Sequence, residues 1–422
     1  MLVVMKARAT PHTIIRAMLG RRTHPMKSSN AMIIRLSVLA LLAMVLTGCR
    51  SHDFPQYPSD YREYAYVTNG DSNTVTVLDV VDVRVDRELA VGQKPVAVAA
   101  SPTRNEVYVV NSGAADGQGS VSVINAENNT VTGAINVHRQ PVSIEIDSTG
   151  DLAYVANSGS NSVSVLDLKA RREIAVIGTG EEPAAARLSP DNKTLVVANR
   201  RGNSVSLFDP ATRRLRAIFT GCPGASDAVI LSDSSKAFVP CSAGHQIMAI
   251  ALAHSEVHPT QPVNAQVVPA QPARLEALLD VGQAPMQLAL KPDGGELFAL
   301  NSLSDSISEI ITNTDDVNSS TVIGDTPVRG LVSADNSLLY VANFRSQYVT
   351  VYAIDDGRRM GSIHVGDGSS ALAFSGSGLL LFVVDARSGD VAVVRTAELS
   401  FFTLLPAGRA PNAIAVKAFK LP

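Results

Sequence analysis

The most reactive side chains in this 422-residue sequence are three thiols, Cys49, Cys222 and Cys241. Cys49 closes the string Leu46-Thr47-Gly48-Cys49, after an apolar run from Leu36 to Leu46 and a basic leader. That order of charge, apolar segment and small residues is a secretory signal, 1–48, and its roughly 11 apolar residues fall short of the roughly 20 that span a bilayer. Export leaves Cys222 and Cys241 as a pair in an oxidising compartment, either disulfide-bonded or as two free thiols, depending on whether strand register brings their Cα atoms within about 7 Å. His254-x-x-x-His258 has the i,i+4 spacing of a helical metal pair, but its Pro-rich surroundings suit no helix and add only Glu256, so both histidines are read as solvated. No metal and no cofactor is expected. His-Glu-x-x-His, Gly-x-Ser-x-Gly, a phosphate-cradling Gly loop and Cys-x-x-Cys-His are all absent from the sequence.

The Leu-Thr-Gly-Cys string resembles the bacterial lipobox, in which the cysteine is lipid-modified and becomes the first mature residue. The next residue is Arg50 rather than the Asp that retains lipoproteins at the inner membrane, so the expected address is the outer membrane, facing the periplasm. Met26, followed by Lys27, or Met32 would make a more ordinary start than Met1. Seven of the 36 Lys+Arg and none of the 39 Asp+Glu precede Cys49, so a chain beginning there carries 29 against 39, a formal charge of −10. An acidic body without aromatics interleaved among basic residues lacks the electrostatic footprint of a nucleic-acid binder.

The elements that must position any site come from a repeat. Eight tetrapeptides close short apolar strands: YVTN at Tyr66, YVVN at Tyr108, YVAN at Tyr154, VVAN at Val196, FVPC at Phe238, FALN at Phe298, YVAN at Tyr340 and FVVD at Phe382. Five of the seven gaps are 42 residues. The clearest unit, Gln140 to Gly180, holds four strands: Val142 to Ile146, one ending at Tyr154 to Asn157, Ser162 to Asp167, and Glu173 to Ile177. Four strands joined by short turns make one antiparallel sheet, and sheets repeated at this period make a propeller. Asp79, Asn125, Asp167 and Asp209 end the third strands, where a short polar side chain caps a turn. The first motif lacks a preceding inner strand, and Pro411 to Ala418 is such a strand with nothing after it. The tail therefore completes the first sheet, and the count is eight blades, with seven the alternative. The propeller takes 64–422, after a tether at 49–63. A Pro-, Gln- and Ala-rich excursion at about 253–274 accounts for the one gap of 60 residues.

Loops after each motif and loops before each first strand share one face, because strands alternate direction. Asn69, Asn111, Asn157, Asn199, Asn301 and Asn343 form a ring near it. Repetition in every blade points to loop backbone satisfaction more than to ligand contact. A site belongs where blades differ, at Asp116, Arg200, Arg201, Phe344, Arg345 and Asp385.

The motif, with NSVSVLD downstream and Pro-x-x-apolar upstream over about residues 64 to 418, resembles the YVTN family of β-propeller repeat proteins. The resemblance implies a propeller with a binding or scaffold role in the cell envelope, its partner a protein or glycan and the propeller itself monomeric. It also implies kinship with lactonase-like propellers and with propeller subunits of quinone- or haem-dependent oxidoreductases, although none of their catalytic residues maps onto this chain. An enzyme would need a convergent group of Glu, His or Arg at the channel mouth.

Overall fold

The computed structural model describes residues 57–252 and 272–421. Cys49, the signal segment, His254 and His258, and most of the expected excursion lie outside the described residues. Thirty-two strands, β1 to β32 in chain order, make eight four-stranded antiparallel sheets, and the helical content of the described residues is a single 3-10 turn at Ser158–Ser160.

The apolar motif strands are buried on both sides because each sheet is sandwiched between two neighbours. Tyr66, Tyr108, Tyr340, Phe238, Phe298 and Phe382 are among the largest fully buried side chains. The outermost strands are instead mostly exposed, as in Arg274–Asp280, where only Leu279 is buried. Each sheet shifts register between its third and fourth strands, from Val77/Leu78 in the first to Val393/Val394 in the last, and the second sheet does so a further time at Gln118/Ser120. A bulge there sharpens the local twist that a wedge-shaped blade requires. Asp79, Asn125, Asp167 and Asp209 accept backbone N–H groups of the following turn through Oδ1.

The ring closes through the tail. In the first sheet the order is β3 (Arg84–Ala90), β2 (Thr74–Asp79), β1 (Tyr61–Asn69), β32 (Pro411–Lys420), so the innermost strand is the last of the chain. Pairing runs from Tyr61↔Lys420 to Asn69↔Pro411. β1 thus takes in the last three residues of the expected tether; Tyr61, Arg62 and Glu63 are hidden to a hydrophobicity reading by their polar ends, yet they extend a ladder that β32 is long enough to continue.

Blade 5 departs from the pattern. Its inner strand is only Val229–Ile230. Pro240, in the motif strand, accepts Ser226 N–H at 3.2 Å but has no N–H to return, so the ladder lapses at Ser226 to Ala228. A Cys222–Cys241 disulfide, with Cα atoms 4.8 Å apart, holds the incoming loop to the sheet at the lapse.

Candidate functional site

On the face that carries the motif loops, the six asparagines are buried. Each side-chain NH2 donates to the third strand of its own blade: Asn69 to Thr74 and Thr76, Asn111 to Ser120 and Ser122, Asn157 to Ser162 and Ser164, Asn199 to Ser204 and Ser206, Asn301 to Ser306 and Ser308, and Asn343 to Tyr348 O and Thr350. In five of the six the other side is covered by a loop glycine, Gly408 on Asn69, Gly92 on Asn111, Gly180 on Asn199, Gly282 on Asn301 and Gly324 on Asn343, whose Cβ, if present, would clash with the asparagine. A ligand therefore reaches these amides only by displacing that loop. Asn73, Asn161, Asn203 and Asp305 bond from one blade to the next: each sits at positive φ and accepts, through Oδ1, a backbone N–H at the entry to the following blade, Lys94, Glu182, Gly224 and Thr326. Asn and Asp tolerate that backbone region better than other non-glycine residues.

The irregular residues on this face do not converge. Arg200 and Arg201 are exposed and lie 3.5 and 4.0 Å from Glu182 and Glu181. Arg201 also lines a recess of about 490 Å3 with Gln140, Ser158 and Glu181. Asp116 and Arg345 are exposed elsewhere on the face. Phe344 carries the Arg387 guanidinium 4.6 Å above its ring. Asp385 is buried in the asparagine position of blade 8, accepting from Ser369 Oγ (2.7 Å) and Gly366 N–H (2.9 Å), with Asp390 directly across the ladder. Burial, and to a lesser extent Asp390, pushes the Asp385 carboxyl up to about 7.

The group that does converge is inside the ring. The inner strands adjoin one another in sequence order and close through β28 (Ser369–Phe374), β32 and β4 (Pro95–Ala100), so they wall the central channel. At the register opposite the motif aromatic, they place Ala99, Glu145, Arg187, Val229, Ala289, Leu331, Ala373 and Ala415. One step toward the loop face stand Ala97, Ser143, Ala185, Asp227, Gln287, Arg329, Ala371 and Ala413. Blades 8, 1 and 2 thus supply only alanine at both levels, while blades 3 to 7 supply every charge.

Arg187 is the hub. Its Nε and Nη2 donate to Asp227 Oδ1 (2.8 Å) and Oδ2 (3.1 Å), a bidentate pair, and Nη1 donates to Glu145 Oε2 at 3.3 Å. The side chains of Arg187 and Glu145 keep 29 and 30% of their accessible area although they lie deep in the ring, because channel solvent, not the outer surface, touches them. The attraction of Asp227 raises the Arg187 guanidinium further above its ordinary value, against burial. Burial works on Asp227 in the opposite sense, and Arg187 overcomes it, leaving that carboxyl below the usual range. At Glu145 burial wins over Arg187, and the carboxyl is held up. Arg329 stands across the channel on blade 7. Its side chain is exposed to solvent, it senses both Asp227 and Arg187 through space, and it makes no hydrogen bond or ion pair with any described residue. At the opposite end from the loop face, Ala99, Glu145, Asp147 and Leu188 line a cavity of about 380 Å3.

Sequence reasoning looked for the site in loops after the motif and missed these four residues, which sit at inner-strand positions where other blades have alanine. The available signals were Glu145 and Arg187, single charges within mostly apolar six-residue strands, and the Pro240-Cys241 substitution that marks the blade carrying Asp227.

Comparison with known proteins agrees with the architecture. Residues 63–177 match the family model described as Lactonase, 7-bladed beta-propeller, over less than half of the chain. No curated protein matches. Among solved structures, dihydro-heme d1 dehydrogenase NirN in complex with DHE superposes with a TM-score of 0.67 at 15% identity, covering 94% of this chain and 89% of that one. AztD from Citrobacter koseri gives 0.62 at 13%, covering 85 and 99%. A putative 6-phosphogluconolactonase from Bacteroides fragilis gives 0.55 at 13%, covering 86 and 99%. At these identities the likeness is one of fold. The chain is an eight-bladed propeller, part of which matches a lactonase-type propeller model, and its neighbours in fold include a dehydrogenase and a putative lactonase.

Proposed function

We propose that this protein is a cell-envelope propeller, anchored by lipid on Cys49, that acts as a binding module and receives a group of its partner into the central channel. The observation that carries the reading is the meeting of Glu145, Arg187, Asp227 and Arg329, from four different blades, in a ring whose other positions at these two levels carry no charge and are mostly alanine. Charges placed inside a channel cost desolvation free energy, and a pure packing role is met at lower cost by the alanines that other blades use. The signal segment and the Leu-Thr-Gly-Cys string support the address, and the motif resemblance supports a binding or scaffold role for a protein or glycan partner. Pull-down from detergent-solubilised membranes tests the binding: wild-type chain captures a partner, and the Arg187→Ala, Asp227→Ala double variant does not. Labelling with radioactive palmitate tests the anchor, with label incorporated by wild type and lost in Cys49→Ala.

A lactonase-like enzyme is the second reading. It is favoured by the family match over residues 63–177 and by Glu145, a carboxyl held toward protonation beside a guanidinium, the state a general acid needs. Turnover of simple lactones by wild type, abolished in Glu145→Gln, would establish it.

A further inference from the structure

We propose that Asp385 and Asp390 share one proton and form a pH-operated latch on the loop face, which holds the loop at 366–368 down on blade 8 while the proton is present and lets it lift when the proton is lost to solvent. The inference goes beyond the binding reading and does not depend on what the channel receives.

Blade 8 lacks the pairing that the asparagine blades use. In five of those blades the amide donates to hydroxyls five and seven residues ahead, and in two the N–H of the covering glycine turns to the second hydroxyl, Gly92 to Ser122 and Gly282 to Ser308 at 3.4 Å each. In blade 8 the same two positions hold Asp390 and Ala392, so the second hydroxyl is gone and the first is a carboxyl. Asp385, at the end of β29 (Leu380–Asp385), stands across the ladder from Asp390, at the start of β30 (Asp390–Arg395). A carboxylate has no hydrogen to donate, and two of them side by side repel unless one keeps its proton. A proton on Asp385 therefore does the work of the asparagine N–H, with Asp390 as its acceptor.

The cover over this pair leaves no room for water. Asp385 has no exposed area. Gly366 N–H donates to its Oδ2, and a Cβ on Gly366 would lie 2.7 Å from that oxygen and 2.5 Å from Asp390 Oδ1 and Ser388 Oγ. Hydrating a second negative charge thus requires the glycine to move. The loop has the hinge for it: Gly366 and Gly368 flank Asp367, and Gly368 sits at a φ of +79°. Asp367 N–H donates to Ser388 Oγ (3.0 Å), and its carbonyl accepts the N–H of Arg387 (3.0 Å) and Ser388 (3.2 Å), so lifting the loop also frees the motif loop that carries Arg387 over Phe344.

Charges on the surrounding elements do not offset the pair. Asp367 and Arg387 lie 3.7 Å from each other and are open to solvent, Arg345 of blade 7 is exposed, Arg409 at the entry to blade 1 donates to Asp71 O, and β28 carries no charge. Burial raises both carboxyls; Asp390 adds to the rise at Asp385, and hydrogen bonds with Ser388 and Asp385 oppose it at Asp390. Docking lifts Asp385 from 3.8 to about 7, so the docked loop is fully stabilised below the lower value and loses that stabilisation as pH rises through the upper one.

Hydrogen exchange on the full-length protein in detergent tests the latch, with rates corrected for the intrinsic effect of pH. The reporters are the amides of 366, 367 and 386–388, and those of 92, 94, 112 and 113 in blade 2 are the internal control. Protection of the blade 8 amides should fall roughly tenfold or more between pH 5 and pH 7.5 in wild type and stay level in blade 2. Asp385→Asn, which restores the residue of the other blades, should abolish the fall. Asp390→Asn supplies an N–H donor to an ionised Asp385 and should move the fall to lower pH. Equal protection of the blade 8 amides at both pH values, a fall of the same size in Asp385→Asn, or a matching fall in blade 2 overturns the proposal, the last because the whole ring would then be loosening.

Discussion

The loop face and the channel wall of this propeller are built from the same repeat and obey opposite rules. On the loop face, six blades place asparagine on a pair of third-strand groups, and five of them cover it with a tightly packed loop glycine. On the channel wall, equivalent positions hold alanine in three successive blades and charge or amide in the others. A residue that recurs around the ring answers a need every blade shares, whereas a charge that appears once answers a need of the whole ring. Asp385 stands between the two cases, with a loop-face position but a single occurrence.

The strongest way to break the comparison is to open the frame that both regions share. A chain ending at Ala410 lacks β32, exposes the β1 edge and removes a wall of the channel; it is expected to lose cooperative unfolding and to aggregate, as judged by calorimetry and light scattering. An intact, soluble ring from that truncation would refute closure by the tail.

Arg187→Ala strikes the channel alone. It strands Asp227 beside Glu145 and should cost about 2–4 kcal/mol in denaturant unfolding. Without Arg187, burial raises the Asp227 carboxyl, so the folded form then favours protonation, and the loss should be larger at pH 8 than at pH 5. Equal losses at both pH values would mean that the pair is not buried as described.

Reduction of Cys222–Cys241, or Cys222→Ser, acts where the two regions meet, since the bridge steadies the loop leading to Asp227. A cost of about 2–4 kcal/mol is expected in unfolding measurements. Partner capture should fall with it if Asp227 depends on that loop.

The smallest effect should come from Asp385→Asn, which restores the residue found in the other blades. Folding raises this carboxyl from 3.8 to about 7, so its contribution is fully present below the unfolded value and is lost as pH rises through the folded one. The variant should therefore match wild type near pH 4 and exceed it by about 1–3 kcal/mol at pH 8. If the difference does not grow between those pH values, Asp385 is ionised in the native state and the loop face is uniform after all.

Much of this was legible because propeller architecture is local. Period-42 motifs, turn-capping Asp79, Asn125 and Asp167, and a first motif lacking an inner strand point to four-stranded blades, eight of them, and a ring closed by Pro411 to Ala418. Each inference concerns neighbours in sequence or one strand pairing with an obvious vacancy. The asparagines were equally readable as structural, since their partners lie five and seven residues ahead.

The site was not legible in that way. Glu145, Arg187, Asp227 and Arg329 are each about 40 to 100 residues from the next. Each is a lone polar residue in or beside a short apolar strand, indistinguishable in sequence from an outward-facing one. The amino-acid order determined the blades, their number and the seam, because those depend on local pairing and a fixed period. Only closure of the ring decided that these four side chains share one channel, since Coulomb attraction and hydrogen bonding act over a few ångströms and inner strands reach that separation only when all eight blades are in place.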